Sequence, residues 1–219
     1  MRKLIYSMMM SLDGFIERPP LGGGRNDPNL LDWVIIDEEL HSFANEEARE
    51  AGAFLYGRRL YQNMAAFWPT ADRLPDTPGY VVDFARIWKP KPKIVFSRTL
   101  DNVEWNSRLV SGNVAEEVVR LKAEVGGYLT VGGARLATTL IDLDLIDEYR
   151  LIVHPVVIGG GTPLFPPVRH DIKMRLLETR TFSSGVVFLR YEAERGLLNR
   201  PEDPPAEKQR SARTSEPRR

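Results

Sequence analysis

The sequence predicts an α/β fold: a mostly parallel central sheet with helices on both faces, closed by an antiparallel C-terminal edge hairpin. Apolar β-like runs alternate with helix-like stretches in the order β, α, β, α, β, α, β, α, β, β, β. Three of the runs are short and mainly apolar, and each leads straight into a glycine or polar turn and then a helix or loop, as strands covered on both faces do. The last two runs flank Ser183-Ser184-Gly185, a turn sequence that returns the chain antiparallel to itself.

The elements follow in order. Residues 4–10 form an almost unbroken apolar run. It faintly imitates a secretory signal, but it is short, contains Ser7 and leads into Ser11-Leu12-Asp13-Gly14 instead of a small-residue cleavage site. A first strand of a cytoplasmic protein is the better reading. Residues 37–51 carry Leu40, Phe43, Ala44, Ala48 and Ala51 at helical spacing. Residues 53–56 read as a short buried strand ending at Gly57, and residues 58–64 as the next helix. A strand over 93–97 is entered through Pro90-Lys91-Pro92. The stripe Val114, Val118, Leu121 and Val125 predicts a helix over 113–125. Residues 128–131 form a strand closing on Gly132-Gly133, and a helix follows over 134–141. Asp147-Glu148 leads into a long strand over 149–158, and 176–182 with 186–191 make the hairpin. No internal repeat is visible.

With 219 residues, the chain is long enough for one domain, read here as residues 1–194. Residues 195–219 hold Pro201, Pro204, Pro205 and Pro217 among charged and small polar side chains and read as a disordered tail. Thirty basic residues balance thirty acidic ones, so no net field draws the chain to nucleic acid or membrane, and the expected partner is a small molecule. No apolar run approaches the roughly 18 residues of a membrane span. Absence of cysteine excludes disulfides, thiolate metal sites and a cysteine nucleophile. His41, His154 and His170 are too scattered for a histidine metal pair, and no metal is expected.

The chemistry lies at strand ends, where open α/β sheets bind ligands. Leu129-Thr130-Val131-Gly132-Gly133-Ala134-Arg135-Leu136 is a strand, two glycines and a helix start. The glycines let backbone approach a phosphate, and the helix N-terminus favours an anion. A tight turn needing glycine for sterics alone is the other reading. After the second strand, Gly57 precedes Arg58 and Arg59 in the first turn of a helix, where their charge opposes the helix dipole. An anionic ligand explains them, and so do two solvated arginines. Ser97, Arg98 and Thr99 follow the third strand. Three consecutive strand ends with phosphate-compatible groups suggest a dinucleotide lying across the sheet edge.

Met10-Ser11-Leu12-Asp13-Gly14-Phe15-Ile16, Gly57-Arg58-Arg59-Leu60-Tyr61, Ser97-Arg98-Thr99, Val131 to Leu136, and Ile158-Gly159-Gly160-Gly161-Thr162-Pro163-Leu164-Phe165 occur in this order. As an ordered set they resemble the dihydrofolate-reductase-like superfamily, in the branch holding the reductase domain of the bifunctional riboflavin-biosynthesis protein. The resemblance implies NADPH binding and hydride transfer to a small pterin-like, pyrimidine-like or carbonyl substrate, in a homodimer. By position, Gly57, Arg58 and Arg59 would hold the pyrophosphate and 2′-phosphate, and Ser97, Arg98 and Thr99 the adenosine end. Gly132, Gly133, Ala134, Arg135 and Leu136 would wrap the pyrophosphate. Met9, Met10 and Ile16 would flank the nicotinamide.

The substrate side departs from the folate pattern. Counting back from Gly57 places the pterin-holding carboxylate of that family at His41, with Asp37 and Glu38 one turn earlier. His41 is a candidate proton donor or a structural helix residue. Asp13 is a candidate polar anchor for substrate or an Asx-type turn stabiliser. Leu21 to Gly24 reads as a loop over the site, Gly159 to Gly161 as a closing turn, and Trp68 as a wall. Two alternatives are a non-catalytic nucleotide- or flavin-binding protein on the same fold and a partner-binding protein acting through the tail.

Overall fold

The computed structural model describes residues 1–20 and 28–194, so the glycine loop at 21–24 and the tail at 195–219 lie outside the described residues. The elements are β1 (Leu4–Ser11), β2 (Phe15–Glu17), α1 (Glu38–Glu50), β3 (Ala53–Gly57), α2 (Arg58–Ala71), α3 (Gly79–Trp88), β4 (Lys93–Phe96), β5 (Ser107–Val110), α4 (Val114–Ala123), β6 (Leu129–Gly132), α5 (Ala134–Asp142), β7 (Glu148–His154), β8 (Thr162–Pro163), β9 (Met174–Thr181) and β10 (Val187–Ala193). Eight strands form one sheet in the order β5-β4-β3-β6-β1-β7-β10-β9, and β2 pairs with β8 in a small second sheet. The first six strands of that order run parallel; β10 and β9 are antiparallel. Among the described residues no helix is long and apolar enough to cross a membrane.

Alternation along each strand sorts side chains to two faces. Leu4 and Tyr6 of β1, Leu55 of β3 and Leu129 and Val131 of β6 meet Val118 and Leu121 of α4 and Leu136, Ala137 and Leu140 of α5. The opposite face carries α1, α2 and α3. There the apolar side chains fall into two separate clusters, one around Phe54, Tyr56, Trp88 and Val95, the other around Leu40, Phe43, Ile152 and Phe188.

Where the observed elements differ from the sequence reading, local chemistry gives the reason. The strand read as 149–158 stops at His154, because Pro155 has no N–H to donate and Val156 turns back to bond the His154 carbonyl at 2.8 Å. Helix α3, which the sequence reading passed over, packs between α1 and α2 and buries Ala85 and Trp88. β5 is a short, partly exposed edge strand, entered through left-handed Trp105 and Asn106. β2 and β8 are too short to show a period. Trp33 and Trp88 are buried, whereas Trp105 is largely exposed.

Candidate functional site

In the sheet, β4, β3 and β6 are neighbours and parallel, so their C-terminal ends emerge side by side. Gly57 pairs with Phe96, and Tyr56 with Gly132, which levels the three ends. Arg58 at the start of α2 crosses to β4, its Nη1 donating to Thr99 Oγ1 at 3.1 Å. Ser97 Oγ accepts the backbone N–H of Thr99 and of Leu100, each at 3.2 Å, and so fixes the turn after β4. The three strand-end motifs therefore meet on one edge.

The helix starts on this edge differ from others in the molecule. α1 is capped by Asp37 and α4 by Asn113, and both carry acidic side chains in the first turn. α2 starts at Gly57 and α5 at Gly133 with no side-chain cap and no acid, but with Arg58, Arg59 and Arg135. Among the described residues no side chain caps their first-turn amides. α3 also lacks a cap, but it starts behind Pro78 with no basic residue. Gly133 needs its residue type for geometry, with φ at +90°. Gly57 does not: a Cβ there would meet nothing nearer than Leu136 at 3.8 Å. The fold has room for a side chain at Gly57, and the sequence leaves it out.

Other residues read from the sequence are placed unevenly. Arg98 and Arg135 are exposed on the edge, and Met9 and Met10 follow at the end of β1. Arg59 is paired with Glu17 of β2, whose carboxylate also accepts from Thr162 Oγ1 at 3.2 Å. Ile16 and Leu136 are buried in the core on the α5 side. Asp13 accepts the backbone N–H of Gly159 at 2.8 Å and of Ile158 at 3.2 Å, tying its loop to the turn after β7. A side-chain hydrogen bond with Ser11, reinforced by those backbone donors, holds its carboxyl below the usual range. His41 packs against Tyr80, Phe84 and Trp68, its Nδ1 3.1 Å from Asn45 Oδ1, and burial lowers its pKa. Neither His41 nor Trp68 lines the cavity described next.

That cavity, of about 170 Å³, lies between α1 and the sheet, where the two apolar clusters on this face fail to meet. Phe43, Phe54, Tyr56, Ile152 and Phe188 supply apolar walls, and Ser7, Thr130, Tyr128, Glu47 and Arg150 supply polar groups. Gly132 of the phosphate-compatible turn lines it too. Arg150 is buried. Its Nε donates to Glu148 at 2.7 Å and its Nη1 to Glu47 and, at 3.1 Å, to Tyr128 Oη, while its guanidinium lies 4.6 Å from the Tyr128 ring centroid. Burial raises the Glu47 carboxyl above its usual range despite Arg150. Burial would raise Glu148 as well, but hydrogen bonds from Arg190 and Arg150 outweigh it and bring that carboxyl down.

Sequence reasoning passed over Ser7, Thr130, Glu47, Tyr128 and Arg150. A signal was present: Ser7, Thr130 and Arg150 each interrupt an otherwise apolar strand run. Which face each interruption serves depends on register. The parallel pairing of β1 with β7 sets Ser7 opposite Arg150, on the face that α1 covers.

Residues 2–188 match the model of a known family, the RibD C-terminal domain. The chain belongs to that family. Uncharacterized protein YyaP of Bacillus subtilis (strain 168) is 38% identical over 196 residues, which cover 87% of this chain and 94% of YyaP. A putative riboflavin biosynthesis protein from Shewanella sp. PV-4 superposes with TM-score 0.64 at 22% identity, over 88% of this chain and 99% of that one. Dihydrofolate reductase from Enterococcus faecalis, complexed with NADP(H) and RAB-propyl, superposes with TM-score 0.57 at 14% identity, over 88% and 96% of the two chains. The RibD C-terminal domain in this chain thus has the dihydrofolate-reductase-like fold.

Proposed function

We propose that the protein is an NADPH-dependent reductase acting on a small heterocyclic or carbonyl substrate seated in the cavity under α1. The supporting observation is that Gly132 belongs both to the phosphate-compatible edge and to the cavity wall, so a cofactor on the edge and a substrate in the cavity would be neighbours. The edge fits a dinucleotide: two uncapped helix starts, arginines in their first turns, and a Gly57 that the backbone does not demand.

In this reading the first-turn amides of α2 and α5 hold the pyrophosphate, with Gly133 bringing backbone close. Arg58, braced by Thr99, and Arg59, released from Glu17, hold the 2′-phosphate, with Ser97 and Arg98 beside the adenosine. Met9 and Met10 flank the nicotinamide end. NADPH, when bound, would supply the hydride. Asp13 holds the loop between β1 and β2 against Gly159, and His41 holds α1 to α3. Both act as positioning residues.

Calorimetric titration of the wild type and of an Arg58→Ala/Arg59→Ala variant with NADPH and NADH tests this. NADPH binding is expected to weaken roughly tenfold or more in the variant, and NADH binding to change little. Equal losses for both would overturn the 2′-phosphate assignment. Absence of NADPH binding to the wild type would overturn the cofactor reading.

A further inference from the structure

Four arginines stand on the proposed cofactor edge, and among the described residues only one of them has a carboxylate partner. Arg58 donates to the Thr99 hydroxyl, Arg98 and Arg135 have no ion pair, and Arg59 is held by Glu17 of β2. Among the described residues that contact is also the one hydrogen bond or ion pair that joins the small β2–β8 sheet to α2. It links residues 42 positions apart in the chain.

The pair gives α2 an acid that its own sequence withholds. α1 and α4 each carry two acidic residues in the first turn, where negative charge suits the helix dipole; α2 carries none, and its Arg58 and Arg59 oppose the dipole. Glu17 supplies the missing anion from another element. The β2–β8 sheet does not depend on the contact. It is held by the pairing of Phe15 with Pro163 and Glu17 with Thr162, by the Leu164 N–H on the Gly14 carbonyl at 2.9 Å, and by Asp13 on the amides of Ile158 and Gly159. Glu17 has a second partner as well, Thr162 Oγ1 at 3.2 Å. With side-chain exposures of 45% for Arg59 and 21% for Glu17, the ion pair is worth no more than about a factor of five in an equilibrium. The carboxylate is in place, and it is readily displaced.

We propose that Glu17 is a resident competitor for phosphate on Arg59, an inference that rests on the reading of this edge as the cofactor site. Carboxylate and phosphate engage a guanidinium through the same forked hydrogen bonds. A phosphate on the nitrogens that Glu17 leaves would stand close to its carboxylate, and two anions sharing one cation repel each other. A cofactor phosphate therefore takes Arg59 as Glu17 withdraws toward Thr162, and Glu17 reclaims the arginine as the phosphate leaves. Cofactor is held less tightly than the arginines alone would hold it, and the difference falls mainly on the dissociation rate. Occupancy of the edge is also passed to the β2–β8 sheet, which loses this tie to α2 when a phosphate holds Arg59.

The test is calorimetry with NADPH on the wild type, Glu17→Gln, Arg59→Ala and the double variant, with dissociation rates from stopped-flow fluorescence. Glu17→Gln is expected to bind NADPH at least roughly threefold more tightly than the wild type and to release it correspondingly more slowly. In the Arg59→Ala background the same substitution should gain little. Unchanged or weaker NADPH binding by folded Glu17→Gln overturns the proposal, since a merely structural ion pair gives that result. An equal gain with and without Arg59 overturns it too, because the effect would then be a general loss of negative charge. If Glu17→Gln does not fold, Glu17→Ala carries the same expectations. Inorganic pyrophosphate, titrated against the same proteins, separates this proposal from the cofactor reading. NADPH binding without the gain sinks this proposal alone. If the wild type takes up no NADPH, the cofactor reading fails and pyrophosphate decides here: a gain on Glu17→Gln that Arg59→Ala abolishes sustains the competitor, and no gain overturns it.

Discussion

Arg150 and Glu148 show how much a single residue can carry. Glu148 has no exposure, and it accepts from Arg150, from Arg190 at 2.8 and 3.2 Å and from Lys3 at 3.4 Å. Removing its charge takes one carboxylate from buried Arg150, which keeps Glu47, from Arg190, which keeps Glu178, and from exposed Lys3, which keeps Glu192. Glu148→Gln is therefore expected to destabilise the protein by about 1.5–3 kcal/mol, read by urea denaturation; a loss under about 1 kcal/mol would mean the remaining carboxylates suffice. His154 gives a pH dependence. It is fully buried, its Nδ1 accepts from the Ile35 N–H at 3.2 Å, and its edge packs on Trp33. Burial lowers its folded-state pKa, as it does for His41. Below about pH 6.5 the unfolded chain takes up protons that the fold refuses, so stability is present above that value and lost as pH falls beneath it. Thermal melts between pH 7.5 and about 5.5 should show that loss. His154→Asn, which keeps an acceptor for Ile35, should flatten it, and an unchanged slope would exclude His154 as a source. None of this is legible in sequence, where His154 is one more polar residue within an apolar strand.

The elements were legible in proportion to their period. α1 and α4 announce themselves by stripe and cap, Asp37 accepting from the Leu40 N–H at 2.8 Å and Asn113 from the Ala115 N–H at 3.0 Å. β3, β4 and β6 are apolar runs ended by glycine or serine. What escaped were elements stabilised by tertiary neighbours: α3 between two helices, the edge strand β5 and the two short strands β2 and β8. That small sheet depends on Gly161, which lies at φ +128° and whose added Cβ would stand 1.9 Å from the Glu17 carbonyl oxygen. Gly161→Ala should separate β2 from β8 and free Glu17 from Thr162. A stability loss of about 2 kcal/mol or more is expected by thermal denaturation, and a neutral effect would show that the pairing contributes nothing.

At the scale of the whole molecule, the chain is tied off at its last described strand: the Ala193 N–H bonds the Asp147 carbonyl at 3.0 Å and the Glu194 N–H bonds that of Lys173 at 2.9 Å. Truncation after Glu194 is accordingly expected to leave melting temperature and NADPH affinity unchanged, whereas truncation before β10 should unfold the protein. A stability loss from the shorter cut would make residues 195–219 part of the domain. The sequence by itself determined the α/β class, the order of most elements, and the three strand-end motifs of the proposed cofactor edge, because those rest on local period, glycine and charge within a few residues. Only the tertiary structure decided that the strands order as β4-β3-β6-β1-β7, that Ser7, Thr130 and Arg150 turn toward α1, and that Glu47, not His41, meets them across a cavity. The physical reason is that register and crossover set which face each side chain serves, and they arise from contacts between residues as far apart as Glu47 and Arg150.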